Sequence, residues 1–127
     1  MDPITDIVHK FDSIDERSMS TRYADFKLEF TDTARVQFEY GFALEGNKSG
    51  EYHTLARLLP SLKLDPYKPV NGSPARGKVH NYKGRSKYNK YDIYHAGGRA
   101  KNLRAYYVVT ENHKILIVGI GSHEKMD

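Results

Sequence analysis

The sequence predicts an α+β fold, with helices packed on one side of a mostly antiparallel sheet. Two observations carry that prediction. Apolar residues recur about every fourth position in the segments around Ile4–Phe11, Ala34–Phe42 and Tyr52–Leu62, and every second position between Lys78 and Ile120. The stretch "TENH" (Thr110 to His113) separates two of the alternating runs by a turn, which makes them an antiparallel hairpin. A chain of 127 residues suits one domain with one core.

The elements follow in order. "DPITDIVHKF" reads as a short helix, capped by Asp2, with Pro3 in its first position and Ile4, Ile7, Val8 and Phe11 on one face. "FKLEF" (Phe26 to Phe30) alternates as a half-buried strand does. A helix is expected next, capped by Thr31, with Ala34, Phe38 and Phe42 at four-residue spacing and Gly46 fitting its end. Ser49 is expected to cap a further helix whose stripe is Tyr52, Leu55, Leu59 and Leu62. Pro60 kinks its last turn, and Asp65-Pro66 ends it. After a Gly/Pro-rich loop come candidate strands at Lys78 to Tyr82, Lys90 to His95, Leu103 to Val109 and Lys114 to Ile120. "KILIVGI" is apolar on both faces, as suits a central strand covered on one side by helices.

Composition narrows the chemistry. The absence of cysteine excludes disulfides and thiolate metal sites. No apolar run reaches the roughly 18 residues of a membrane span, and "MDPITDIVHK" lacks a basic-then-apolar signal pattern, so a soluble cytoplasmic protein is expected. The net charge of +4 is unevenly spread: Lys68 to Arg104 holds ten Lys/Arg against the single acid Asp92. Tyr82, Tyr88, Tyr91 and Tyr94 are interleaved with these cations. Such a pattern suits RNA or another polyanion; a solvated basic loop is the other reading.

Antiparallel pairing would bring three polar residues to one end of the sheet. His95 ends one strand, Arg104 opens the next, and His123 follows the last. Lys83, Arg85, Arg99 and Lys101 are within reach by loop. Two histidines beside arginine and lysine form a set able to cut RNA without a metal. One imidazole takes the 2′-OH proton, an acid protonates the leaving 5′ oxygen, and cations stabilise the phosphate. No cofactor or metal is signalled, since the chain has no close carboxylate pair and no spaced His/Asp cluster. The competing reading leaves His95 and His123 as exposed loop residues without a joint role. Among the other histidines His80, in the basic segment, is the reserve candidate; His9, His53 and His113 rank lower.

The order of parts resembles the RelE/ParE superfamily of toxins from bacterial toxin–antitoxin pairs. The resemblance runs from about Phe26 to Lys125 through "FKLEFTDTARVQFEYGF", "DPYKP" and "YDIYHAGG…NLRAYYVVTENHKILIVGIGSHEK". The ending "GIGSHEK" is most similar to the YafQ branch. It implies a RelE-like, microbial-ribonuclease-type fold, N-terminal helices packed on a mostly antiparallel four-stranded sheet. It also implies an endoribonuclease that cuts mRNA, often on the ribosome, and a cognate antitoxin that covers the basic groove. By position Arg104 matches the strand arginine that contacts the scissile phosphate, His123 the catalytic position after the last strand, and His95 a functional histidine of the YafQ branch. Lys101, Arg99, Lys83, Arg85, Tyr94 and Lys125 are expected to bind substrate. Tyr94 and Asp92 stand where some ribosome-dependent members have lysines. Residues 1–25 have no counterpart in the minimal toxins and are expected as a helical extension, adding core packing to a toxin domain at 26–127. Three alternatives stay open: a ParE-like toxin that binds DNA gyrase without cutting, a ribonuclease domain of a bacteriocin or contact-dependent system, and a catalytically inactive relative that binds RNA or an antitoxin.

Overall fold

The structure is a computed structural model that describes residues 2–14, 23–63, 66, 78–81, 92–95 and 103–122, with the side chains at 47, 78–81, 92, 93, 95 and 122 left out. Helix α1 (Pro3–Ser13) starts as its sequence predicts. The Asp2 carboxylate accepts the backbone N–H of Ile4 at 2.8 Å and of Thr5 at 3.2 Å, two of the donors a helix start leaves orphaned. A further bond from the Thr5 hydroxyl does most to hold the Asp2 carboxyl below the usual carboxylate range. The stripe faces inward: Ile4, Ile7 and Phe11 are buried and Val8 is partly so.

Strand β1 (Lys27–Phe30) leads into α2 (Asp32–Phe42), which Thr31 caps by accepting the Ala34 N–H at 3.1 Å. Helix α3 (Asn47–Leu58) begins two residues earlier than its expected cap. Gly46 precedes it with φ 68°, a conformation that glycine adopts without strain, so Gly46 opens α3 rather than closing α2. The Ser49 hydroxyl instead donates to the Phe42 carbonyl at 3.3 Å. At Leu59–Lys63 the helix tightens to a 3₁₀ turn. Pro60 has no N–H to continue the α-helical ladder, and the change of pitch keeps Leu59 and Leu62 fully buried. Lys63 is itself buried. Its ammonium donates to the Asp12 carbonyl at 3.4 Å, at the carboxyl end of α1 where a positive charge is favoured, and lies 5.2 Å from the Phe11 ring centroid.

Helices α2 and α3 meet at Gly41. A Cβ added there would stand 2.1–2.3 Å from ring carbons of Tyr52. Gly41→Ala is expected to lower stability by up to about 2 kcal/mol in urea unfolding, because overpacking of about 1–3 kcal/mol is offset by a helix-propensity gain of only about 1 kcal/mol. Adding Tyr52→Ala should remove the clash, so the two changes together should cost less than the sum of the single ones.

The remaining strands are β2 (Lys78–Asn81), β3 (Asp92–His95), β4 (Leu103–Val109) and β5 (Lys114–Ser122). They and β1 form one sheet in the order β1-β5-β4-β3-β2. All five strands read from the alternation are present, one more than the four-stranded sheet that the resemblance implies. Lys27 to Phe30 of β1 lie alongside Lys114 to Ile117 in a parallel pairing; the other three pairings described are antiparallel. The β4–β5 hairpin turns at Thr110 to His113 as predicted, with the Thr110 N–H donating to the Lys114 carbonyl at 2.8 Å.

One core joins all the helices to one face of the sheet. Ile4 and Phe11 of α1, Phe38 of α2 and Leu55 of α3 share it with Tyr107 and Ile117. Helix α1 thus packs into the same core as the strands, and so braces the sheet from the helical side. On β5, Ile115, Ile117 and Ile120 are buried, while Leu116 and Val118 are half-buried, matching a strand apolar on both faces. Among the described residues no helix is long and apolar enough to cross a membrane.

Candidate functional site

Three antiparallel pairings place the ends of four strands together. Tyr94 pairs with Ala105, and Ala105 with Ile120, so these three form a row across the sheet. One residue further toward the same end, Arg104 pairs with Gly121 and His95 with Lys78. His95 and Arg104 each stand one position beyond the Tyr94–Ala105 pair, on adjacent strands. The last pair in this direction is Leu103 with Ser122, and the next residue in the chain is His123. The backbone therefore gathers His95, Arg104 and the carboxyl end of β5, as the antiparallel reading expected.

Alternation along β4 decides which way Arg104 faces. Leu103, Ala105 and Tyr107 lie in the core on the helical side, so Arg104 and Tyr106 occupy the opposite face. Arg104 is half-buried there. Tyr106 is fully buried yet stands outside the helix-side core, two residues along from Arg104 on that face. A half-withdrawn guanidinium is screened less by water than an exposed one, so it acts more strongly on an anion brought to it. Of His95 only the backbone is described; His123, Lys83, Arg85, Arg99, Lys101 and Lys125 lie outside the described residues.

Tyr94 does not belong to this face. Expected to bind substrate, it is fully buried on the helical side of β3. Its hydroxyl donates to the Leu58 carbonyl at 2.9 Å and lies 3.1 Å from the Ser61 hydroxyl. Burial pushes its pKa up to about 12. The correction follows from parity: Tyr94 shares a row with Ala105 and Ile120, both in the core, whereas Arg104 is one residue out of phase. Tyr94 ties β3 to the end of α3.

The lower-ranked histidines lie elsewhere. His9 and His53 are exposed on α1 and α3, and the His53 ring centroid is 4.1 Å from that of Phe42. His113, in the hairpin turn with φ 62°, makes an exposed 2.5 Å contact with Asp25 and stacks on Phe26 at 4.8 Å. The hydrogen bond with His113 does most to hold the Asp25 carboxyl below its usual range. This cluster sits at the start of β5, the opposite end of the strand from Arg104's partner Gly121. Two clefts of about 300 and 380 Å³ are lined entirely by helix residues, among them Lys10, His53 and Arg57 in one and His9 and Arg35 in the other. Neither touches the strand ends.

Sequence reasoning missed Gln37 of α2, whose side-chain oxygen accepts the Ile120 N–H at 2.6 Å. Nothing in the spacing of α2 marks it, since a lone glutamine beside Phe38 looks like any polar residue at the margin of an apolar stripe.

Neither a protein-family model nor a curated protein sequence matches the chain. Among solved structures the chain is similar to a YoeB/ParE toxin from Agrobacterium tumefaciens, with a TM-score of 0.55 and 16% sequence identity, over 77% of this chain and 99% of the other. The fold expected from the resemblance to RelE/ParE toxins is therefore the fold observed. Nearly the whole of that structure is matched, and about a quarter of this chain lies beyond it.

Proposed function

We propose that this protein is the toxin of a toxin–antitoxin pair and that it cuts mRNA in the cytoplasm without a metal, on or off the ribosome. The observation that carries this reading is the meeting of His95, Arg104 and the end of β5 at one end of a sheet with the fold of a YoeB/ParE toxin. The strongly basic stretch that contains β2, β3 and the start of β4 supports a polyanionic substrate.

In this reading RNA lies across the sheet face opposite the helices. One imidazole, of His123 or His95, removes the proton from a ribose 2′-OH, and the oxygen attacks the adjacent phosphorus. The bond to the 5′ oxygen breaks, and that oxygen takes a proton from the other acid, leaving a 2′,3′-cyclic phosphate and a 5′-OH. Arg104 stabilises the charge that builds on the phosphoryl oxygens. Lys83, Arg85, Arg99, Lys101 and Lys125 hold flanking phosphates, and a cognate antitoxin neutralises the protein by covering this basic face.

Purified protein incubated with RNA in EDTA, with and without ribosomes, tests the proposal. Cleavage that persists in EDTA and is lost in a folded His123→Ala variant is the expected result. If intact RNA is recovered in both settings, the ribonuclease reading fails. The second reading, a binder of DNA gyrase, is favoured by the likeness in fold to a YoeB/ParE toxin. Inhibition of gyrase supercoiling, unaffected by His123→Ala, would establish it instead.

A further inference from the structure

Strand β5 outruns its parallel partner. The pairing with β1 ends at Phe30 and Ile117, while β5 continues for five residues to Ser122. The chain leaves β1 through Thr31 into α2, and α2 takes over the side that β1 vacates. The Thr31 N–H donates to the Ile117 carbonyl at 3.0 Å, and its hydroxyl donates to the Val118 carbonyl at 3.3 Å. Two residues on, the Ile120 N–H donates to Gln37 Oε1 at 2.6 Å. A backbone donor at a half-buried strand edge needs such an acceptor, and among the described residues no strand lies there to supply one.

On the other side of β5 the ladder is irregular. Tyr107 pairs with Ile117 and Tyr106 with Gly119, which leaves Val118 unmatched as a bulge. The extra residue reverses the phase of the strand. Before it the odd-numbered Ile115 and Ile117 are in the core; after it the even-numbered Ile120 is. Gly121, and not Ile120, consequently pairs with Arg104. The Gln37 contact falls on the first core residue after that reversal.

We infer that Gln37 is a positioning residue: with Thr31 it takes the place of the strand that ends at Phe30, holds β5 in its post-bulge phase, and so keeps Gly121 opposite Arg104 at the candidate site. The inference rests on the ribonuclease reading for its effect on cleavage, although its effect on β5 is independent of that reading. Misplacing a reacting group by about 1 Å costs on the order of 10²-fold in rate.

The test uses the full chain with two substitutions. Gln37→Leu removes the acceptor, and Gln37→Glu keeps an oxygen in its place. In Gln37→Leu the Ile120 amide should exchange with solvent at least about tenfold faster than in the wild type, while Ile115 and Ile117, held by β1, stay protected. RNA cleavage should fall about 10–100-fold in kcat with KM unchanged. Gln37→Glu should restore both amide protection and kcat. Unchanged Ile120 exchange in Gln37→Leu overturns the inference whatever happens to cleavage. Faster exchange with full kcat overturns the link to the site. If wild-type protein does not cut RNA, the proposed function falls, and the amide comparison still decides whether Gln37 holds β5.

Discussion

Arg104→Ala is expected to lower kcat/KM for RNA cleavage by about 10²–10³-fold, the loss typical of removing one preorganised group aimed at developing charge. The substitution is a clean probe because of where Arg104 sits. Its neighbours Leu103 and Ala105 are buried on the helical side, whereas Arg104 is half-buried on the opposite face, so truncation leaves the core untouched. Thermal unfolding measured beside the cleavage rate separates lost chemistry from lost stability. Arg104→Lys keeps the charge but loses the planar fork with which a guanidinium can grip two phosphoryl oxygens at once, and should recover only part of the rate. Single-turnover cleavage with saturating enzyme separates this from weakened binding. Wild-type rates in Arg104→Ala would remove Arg104 from the mechanism, and an equal loss in KM alone would make it a binding residue.

Tyr94→Ala is expected to cost about 3–5 kcal/mol of stability, as truncating a fully buried aromatic side chain does. The milder Tyr94→Phe isolates the hydroxyl. It removes the hydrogen bond donated to the buried Leu58 carbonyl and the contact with the Ser61 hydroxyl, and should cost about 1–3 kcal/mol, with kcat for cleavage unchanged. That pairing of outcomes distinguishes a residue that ties β3 to α3 from one that touches RNA. The pH dependence supplies a second check. The folded protein holds the Tyr94 proton up to about pH 12, whereas the unfolded chain releases it near pH 10. The unfolded state binds fewer protons in that window, so the contribution of Tyr94 is complete below pH 10 and is lost as the pH rises toward 12. Urea unfolding at pH 9 and pH 11 should show a fall in the wild type that is smaller in Tyr94→Phe. A fall of the same size in both would mean that other groups cause it.

The local elements were legible because their signals are local. Asp2 begins α1 and Thr31 begins α2 through side chains that reach donors two or three residues away, and Pro3 suits the first helical position by its fixed φ. The strands from Leu103 and Lys114 declare themselves by alternation and by the turn between them. Where local rules compete, the expectation slipped. Ser49 is a good cap by residue type, yet Gly46 is the residue that takes the positive φ required to enter α3. Tyr94 sits among basic residues in the sequence, which suggested RNA, but its phase on β3 turns it to the core.

Sequence by itself determined the element types, the one-core α+β architecture and the convergence of His95, Arg104 and the end of β5, since all three depend on periodicity and antiparallel pairing between near neighbours in the chain. Only the tertiary structure decided the parallel seat of β1 beside β5, the bulge at Val118 that reverses the strand's phase, and the Gln37 contact that secures it. Lys27 and its neighbour Lys114 are 87 positions apart, and Gln37 and Ile120 are 83 apart. Contacts of that range are chosen by how a whole helix layer closes over a sheet, and one added residue exchanges the two faces of a strand without altering its composition.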